Sequence, residues 1–162
     1  MLIRNRVPYL VATIVICSAL NTYAQSKPAW VGDVEQTLDK GEWHTVRKRI
    51  YIEDKSKRFL SVTIQLLHDK TNATVDINIK ATPRGAHEPL AGALSTYKLM
   101  KVKVIASRLP DLGDENLVVR SDSGWVNIKF RKGRVYTEVF STSEAVAKKL
   151  AYLVAERVPN RD

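Results

Sequence analysis

The chain is 162 residues long and strongly basic, because 26 Lys and Arg stand against 17 Asp and Glu and give a formal net charge of +9. A basic surface favours anionic partners such as charged polymers or lipid head groups. The one cysteine, Cys17, lies in an apolar segment near the N-terminus. Thiol catalysis, cysteine-based zinc sites and disulfides are therefore excluded from the rest of the chain.

The first predicted element is a secretory signal peptide over residues 1–24. It combines a basic start, a short apolar run over residues 7–20 and small residues before a cut between Ala24 and Gln25. The apolar run is shorter than the about 20 residues that a membrane-spanning helix needs, so a retained anchor is the less favoured alternative. Residues 25–162 then form one exported domain, either periplasmic or secreted.

A short helix and three strands are predicted next. Residues 28–41 favour a helix, because Pro28 suits a first turn and Gly41 suits a C-terminal end. In the segments that follow, apolar and polar residues alternate with period two, as in an antiparallel sheet with one buried face. The predicted strands cover residues 43–52, 59–68 and 73–80, with polar turns at 54–57 and 69–72.

The least regular stretch is residues 82–96, which contains two prolines and two glycines. This composition predicts a long loop with at most one helical turn. Strand character resumes over residues 97–106, where Met100, Val102 and Val104 alternate with lysines.

A three-strand meander is predicted in the C-terminal third. Its strands cover residues 117–120, 125–131 and 134–140. Lys132 and Gly133 are the predicted two-residue loop of the second hairpin. The resulting pairs are Phe130 with Val135, Lys129 with Tyr136 and Trp125 with Phe140.

The chain ends in a predicted amphipathic helix that Ser141 or Ser143 caps and Pro159 ends. Its apolar stripe, which includes Leu150 and Val154, is expected to pack on the sheet. Binding of a partner through this stripe is the alternative.

The sequence contains no motif for catalysis or for a cofactor. His44, His68 and His87 are not spaced as metal ligands, and there is no nucleophile elbow, phosphate loop or dinucleotide fingerprint. Asp114 and Glu115 could suggest a pair of carboxylates for acid–base catalysis, but neighbours on an extended strand point to opposite faces, so they are not expected to act together in this way. No metal or cofactor is therefore expected, and a hydrolase with a dispersed site stays an alternative.

The candidate binding surface is a basic and aromatic face of the sheet. Its residues fall on the strand phase opposite the predicted core, so adjacent strands would bring them together. Such a face can contact phosphates, carboxylated glycans or sugars, although Lys and Arg also cover ordinary solvated faces and protect sheet edges. The candidate residues are Trp43, Arg47, Arg49, Tyr51, Lys80, Lys101, Lys103, Lys129 and Tyr136.

Three short motifs follow one another within residues 110–158: a Gly-Asp-Glu turn at 113–115, an Arg-Lys-Gly hairpin at 131–133 and a terminal helix rich in Ala and Leu. This order resembles small exported bacterial domains of unknown function. Asn116 stands where that pattern has alanine. The resemblance implies a periplasmic or surface α+β domain with a binding or accessory role, and it brings no catalytic residues.

The predicted fold is α+β, with a curved antiparallel sheet of about six or seven strands and the C-terminal and N-terminal helices on one face. The predicted function is a non-catalytic exported binding or accessory protein, with an anionic polymer, a glycan or an envelope protein as partner. A structural or docking subunit of an envelope complex is the main alternative. Membrane contact is expected only through the cleaved leader, and nucleic acid is not favoured.

Overall fold

The computed structural model describes residues 28–40, 43–54, 59–68, 71–100 and 104–160. The predicted leader, residues 55–57 of the turn predicted at 54–57, and the lysines at 101 and 103 lie outside these ranges. Within them, no helix is long and apolar enough to cross a membrane. The elements are α1 (Ala29–Lys40), β1 (His44–Asp54), β2 (Phe59–His68), β3 (Thr71–Ile79), α2 (Pro83–Leu99), β4 (Val104–Ser107), β5 (Glu115–Ser121), β6 (Val126–Lys132), β7 (Val135–Ser141) and α3 (Glu144–Arg157).

The strands form one antiparallel sheet, and α1 and α3 cover its first face. In the part of the chain that the structure describes, the sheet has seven strands in the order β1-β2-β3-β7-β6-β5-β4. Both helices contribute to the hydrophobic core, and α3 packs on β3, β6 and β7. The predicted α+β class, the strand number and the placement of these two helices on one face are confirmed.

The core follows from the period-two alternation of the strands. In β3, the even positions Thr74, Asp76 and Asn78 are half-buried, whereas Val75 and Ile77 are fully buried. Because adjacent strands are in register, one apolar row crosses the sheet beneath the helices. This row consists of Ile64, Val75, Val139, Ile128 and Val118.

Helix α3 packs on the sheet through the predicted apolar stripe, including Leu150 and Val154, which are fully buried. Ser143 is the N-cap, since its hydroxyl accepts a hydrogen bond from the N–H of Val146 at 3.4 Å. Ser141, the other candidate for the cap, is buried and donates to the carbonyl of Asn72 at 3.1 Å. Ser141 therefore joins β7 to β3 and does not cap the helix.

The prediction of a loop over residues 82–96 was wrong, because α2 extends from Pro83 to Leu99. Thr82 caps it through a 3.1 Å hydrogen bond from the N–H of Gly85, and Pro83 occupies the first turn, where a missing N–H has no cost. Pro89 lies inside the helix, and the tertiary contacts override its low helix propensity. Of the strand predicted over residues 97–106, residues 97–99 belong to α2 and residues 104–106 to β4.

The register predicted for the β6–β7 hairpin was displaced by one pair. Lys132 pairs with Val135, so the turn residues are Gly133 and Arg134 and the partner of Lys129 is Glu138. Gly133 has a φ of +56°, and a glycine at the first central position is typical of a type II′ turn. The displacement moves each partner by two residues, so each side chain stays on its predicted face.

Candidate functional site

The second face of the sheet carries most of the predicted binding residues, and α2 divides it. Helix α2 packs on β6 and β7 and covers that part of the face. On β1 and β2 the same face keeps Arg47, Arg49 and Gln65 exposed. We call the uncovered part the open half, defined by the row Arg47–Gln65–Thr74 and the adjacent row Arg49–Thr63–Asp76.

Trp43 does not lie on this face, and its prediction as an exposed binding residue was wrong. It is 5 % exposed and belongs to the core on the side of α1 and α3. The cause is a bulge in β1: Thr45 pairs with Leu66 and Arg47 with Gln65, which leaves Val46 as an extra residue. Because of this extra residue, the odd-numbered residues before Val46 point to the opposite face of the sheet from Arg47 and Arg49. Trp43 therefore does not share a face with Arg47.

Lys129 and Tyr136 lie on the predicted face but are not exposed. They are 9 % and 6 % exposed, because α2 covers the part of the sheet on which they lie. Tyr51 lies on β1 and pairs with Ser61 of β2. Lys80 directly follows β3 and is half-buried, and its backbone N–H donates to the carbonyl of Arg134 at 2.9 Å. Among the described candidates, Arg47 and Arg49 are the exposed pair of cations on one strand face.

Beneath α2, Lys129 and Glu138 form the centre of a buried polar network. The Nζ of Lys129 lies 2.7 Å from Oε1 of Glu138 and 3.4 Å from the hydroxyl of Tyr136, which donates to Oε2 of Glu138 at 3.1 Å. Asn127 donates to the same Oε1 at 2.5 Å and to the Tyr97 hydroxyl of α2 at 3.2 Å. These bonds join α2 to the sheet through Tyr97, whereas Oδ1 of Asn127 is buried and has no hydrogen-bond partner among the described residues.

The pKa values in this region follow from burial. Burial alone would raise the pKa of Glu138, but the hydrogen bond from Asn127 and the charge of Lys129 hold it below its usual value. Burial and the Glu138 carboxylate raise the pKa of Tyr136, and burial raises that of Asp76 despite its hydrogen bond with Thr63. Glu138 is thus held ionised as the partner of Lys129, whereas the Tyr136 phenol stays protonated.

A hydrogen bond from His87 and the ion pairs of Arg131 connect the N-terminal part of α2 to the sheet. His87 Nδ1 lies 2.7 Å from Glu115, and Arg131 lies 2.8 Å from Glu115 and 2.9 Å from Asp114. The hydrogen bond with His87, followed by that with Arg131, lowers the pKa of Glu115. Asp114 lies in the bend before β5 and not on the extended strand, so both neighbouring carboxylates can bind Arg131.

Three aromatic rings form a cluster beside the open half. The centroids of Tyr97 and Trp125 are 5.9 Å apart, and those of Trp125 and Phe140 are 5.7 Å apart. Phe140 is 39 % exposed and pairs with Thr74, so it continues the row of Arg47 on the same face. The nine-residue prediction did not include Phe140, although the predicted hairpin already placed Trp125 beside it.

The comparisons with known proteins concern the fold. No family model and no curated sequence matches the chain. Among solved structures, the extracellular domain of PknH from Mycobacterium tuberculosis is similar, with a TM-score of 0.53 and 8% sequence identity over 78% of this chain and 90% of that chain. At this identity the likeness shows a shared fold.

Proposed function

We propose that the protein is an exported, non-catalytic binding domain that contacts an anionic partner through the open half of its sheet. The observation that carries the proposal is the exposure of Arg47 and Arg49 on one face of an edge strand. The signal peptide predicted over residues 1–24 supports export, and the similar fold occurs in a domain described as extracellular.

The two arginines are spaced for neighbouring anionic groups. They are two residues apart on one strand face, which corresponds to about 7 Å along the strand. A guanidinium can bind a carboxylate or phosphate through two parallel hydrogen bonds. An extended anionic polymer could therefore contact both side chains at once.

The groups that converge under α2 favour a structural role for that region. Lys129 and Glu138 neutralise each other, and Arg131 pairs with two carboxylates. These contacts use the charges that a reaction would need, and His87 and Tyr97 connect α2 to the same groups. We therefore place the binding function on the open half and not under the helix.

A second candidate is an accessory subunit that docks another envelope protein. Large apolar side chains are exposed at the C-terminal end of α2 and on the edge strand β4: Leu99 is 84 %, Met100 65 % and Ile105 65 % exposed. Exposed apolar residues at a sheet edge are typical of a contact with another chain.

Binding of a fluorescent heparin oligosaccharide to the purified protein tests the first candidate. We expect the double variant Arg47→Ala/Arg49→Ala to bind about tenfold more weakly at moderate salt, because two charge-assisted contacts are lost. The matched control is Lys148→Ala/Lys149→Ala on α3, which removes the same charge from the other side of the sheet. Equal losses in both variants, or no binding by the unmodified protein, would contradict the proposal.

A further inference from the structure

We infer that the ligand is a carboxylated glycan that lies across the strands, with a sugar ring on Phe140 and a carboxylate at Arg47. This inference rests on the proposed function and specifies its ligand class. Its basis is one continuous row on the second face, in which Arg47 pairs with Gln65, Gln65 with Thr74 and Thr74 with Phe140.

The row has the dimensions of a short oligosaccharide. Neighbouring strands are about 4.8 Å apart, so the backbones of Phe140 and Arg47 are separated by about 14 Å over three strand spacings. A pyranose unit is comparable in length to one spacing. Thr74 and Gln65 lie between the two ends and present a hydroxyl and an amide, which donate to and accept from sugar hydroxyls.

Phe140 is held as a fixed stacking surface. Its ring contacts Trp125, and Trp125 contacts Tyr97 of α2. The Tyr97 hydroxyl accepts from Asn127, whose amide is in turn bonded to Glu138. The part of Phe140 that is exposed is thus ordered before any ligand arrives, which lowers the entropy lost on binding.

The chemistry of the row favours a sugar acid over the other ligands that aromatic and basic residues bind. The apolar C–H face of a pyranose stacks on the electron-rich face of an aromatic ring, and its carboxylate suits a bidentate arginine. A single-stranded nucleic acid also stacks on aromatic rings, but such sites stack successive bases on several rings. Among the four residues of the row, Phe140 is the one aromatic side chain.

Four probes separate these ligands: a short oligogalacturonate, its neutral methyl ester, inorganic polyphosphate and a short single-stranded DNA. We expect the oligogalacturonate to bind most tightly and the methyl ester at least about tenfold more weakly, because the ester cannot pair with Arg47. Arg47→Gln should weaken binding of the oligogalacturonate to a similar extent and leave the affinity for the ester unchanged.

Variants of Phe140 test the stacking. Phe140→Ala should weaken binding of the oligogalacturonate about five- to tenfold and leave the affinity for polyphosphate unchanged. Phe140→Leu keeps most of the apolar volume without the ring and should show the same loss, which separates stacking from a folding defect. Leu99→Ala, at an 84 % exposed apolar position on α2, is the matched control and should bind as the unmodified protein does.

The results distinguish this inference from the proposed function. One outcome is that polyphosphate and the oligogalacturonate bind equally tightly, that polyphosphate binding requires Arg47 and Arg49, and that the Phe140 variants do not change the affinity for the oligogalacturonate. In that case the glycan inference is wrong and the proposed function stands. A single-stranded DNA that binds more tightly than the oligogalacturonate and requires Phe140 also overturns the inference. If no anionic probe binds, both are wrong.

Discussion

Replacing Glu138 with alanine should destabilise the protein by about 2–3 kcal/mol, because it leaves the Lys129 ammonium buried without its main partner. The two charged atoms are 2.7 Å apart. Coulomb's law gives a gross attraction of about 6 kcal/mol at an effective dielectric constant of about 20. Breaking a buried pair commonly costs about 3–5 kcal/mol, since much of the attraction offsets desolvation.

Two features place the expected loss of stability at or slightly below the lower limit of this range. The side chain of Glu138 is 28% exposed, so water can reach part of the site. Asp76 pairs with Glu138 across the strands and offers a second carboxylate near Lys129. Lys129→Met/Glu138→Ala should therefore be less destabilised than the sum of its single variants, by about 1–2 kcal/mol.

Urea denaturation followed by circular dichroism measures these free energies of unfolding. Glu156→Ala is the control, because Glu156 is a 75% exposed partner of Arg157 and its loss should cost at most about 0.5 kcal/mol. A Glu138→Ala variant as stable as this control, or single and double variants whose effects add within about 0.3 kcal/mol, would refute a stabilising role of the ion pair between β6 and β7.

Two further predictions concern a turn and an ion pair. Gly113→Ala should lower the free energy of unfolding, measured by urea denaturation, by about 2–4 kcal/mol. Gly113 has a φ of +65°, and a Cβ there would lie 2.4 Å from the carbonyl oxygen of Arg131. In the control Gly92→Ala on α2, the Cβ would meet nothing within 4 Å, so the change should be neutral or stabilising, and equal effects of the two variants would contradict this account. Hydrogen bonds from Arg120, then from Lys148, lower the pKa of Glu144 from 4.5 to about 2. Since the folded protein binds this proton less readily than the unfolded chain, the pair stabilises above pH 4.5 and this contribution is lost as pH falls towards 2. The side chains are 29% and 34% exposed, so solvent screening reduces the contribution to about 1 kcal/mol. Arg120→Met should thus be less stable than the unmodified protein at pH 6 and equally stable near pH 2; an unchanged difference would contradict the assignment.

The sheet was predictable from local alternation because burial acts on each strand separately. Val75 and Ile77 alternate with Thr74 and Asp76, and this pattern alone identifies the core face of β3. The β6–β7 partners needed the turn type as well. A type II′ turn requires glycine first, which moves the loop from Lys132-Gly133 to Gly133-Arg134.

Helix α2 and the bulge in β1 were not predictable by the same reasoning. Local composition disfavours a helix at Pro89, and the contacts that stabilise α2, such as Ala86 and Ala93 buried against the sheet, come from distant parts of the chain. The bulge at Val46 likewise depends on the pairing with β2. Both errors affected the site: the bulge places Trp43 in the core, and α2 buries Lys129 and Tyr136.

The most direct test of an open half that binds anions is the salt dependence of heparin affinity. For the unmodified protein, the logarithm of the affinity should fall linearly with the logarithm of salt concentration, because counterions are released on binding. Arg47→Ala/Arg49→Ala should reduce the magnitude of this slope by about two, one for each lost contact, whereas Lys148→Ala/Lys149→Ala should leave it unchanged. A slope that is the same in the unmodified protein and the Arg47/Arg49 double variant would contradict the account.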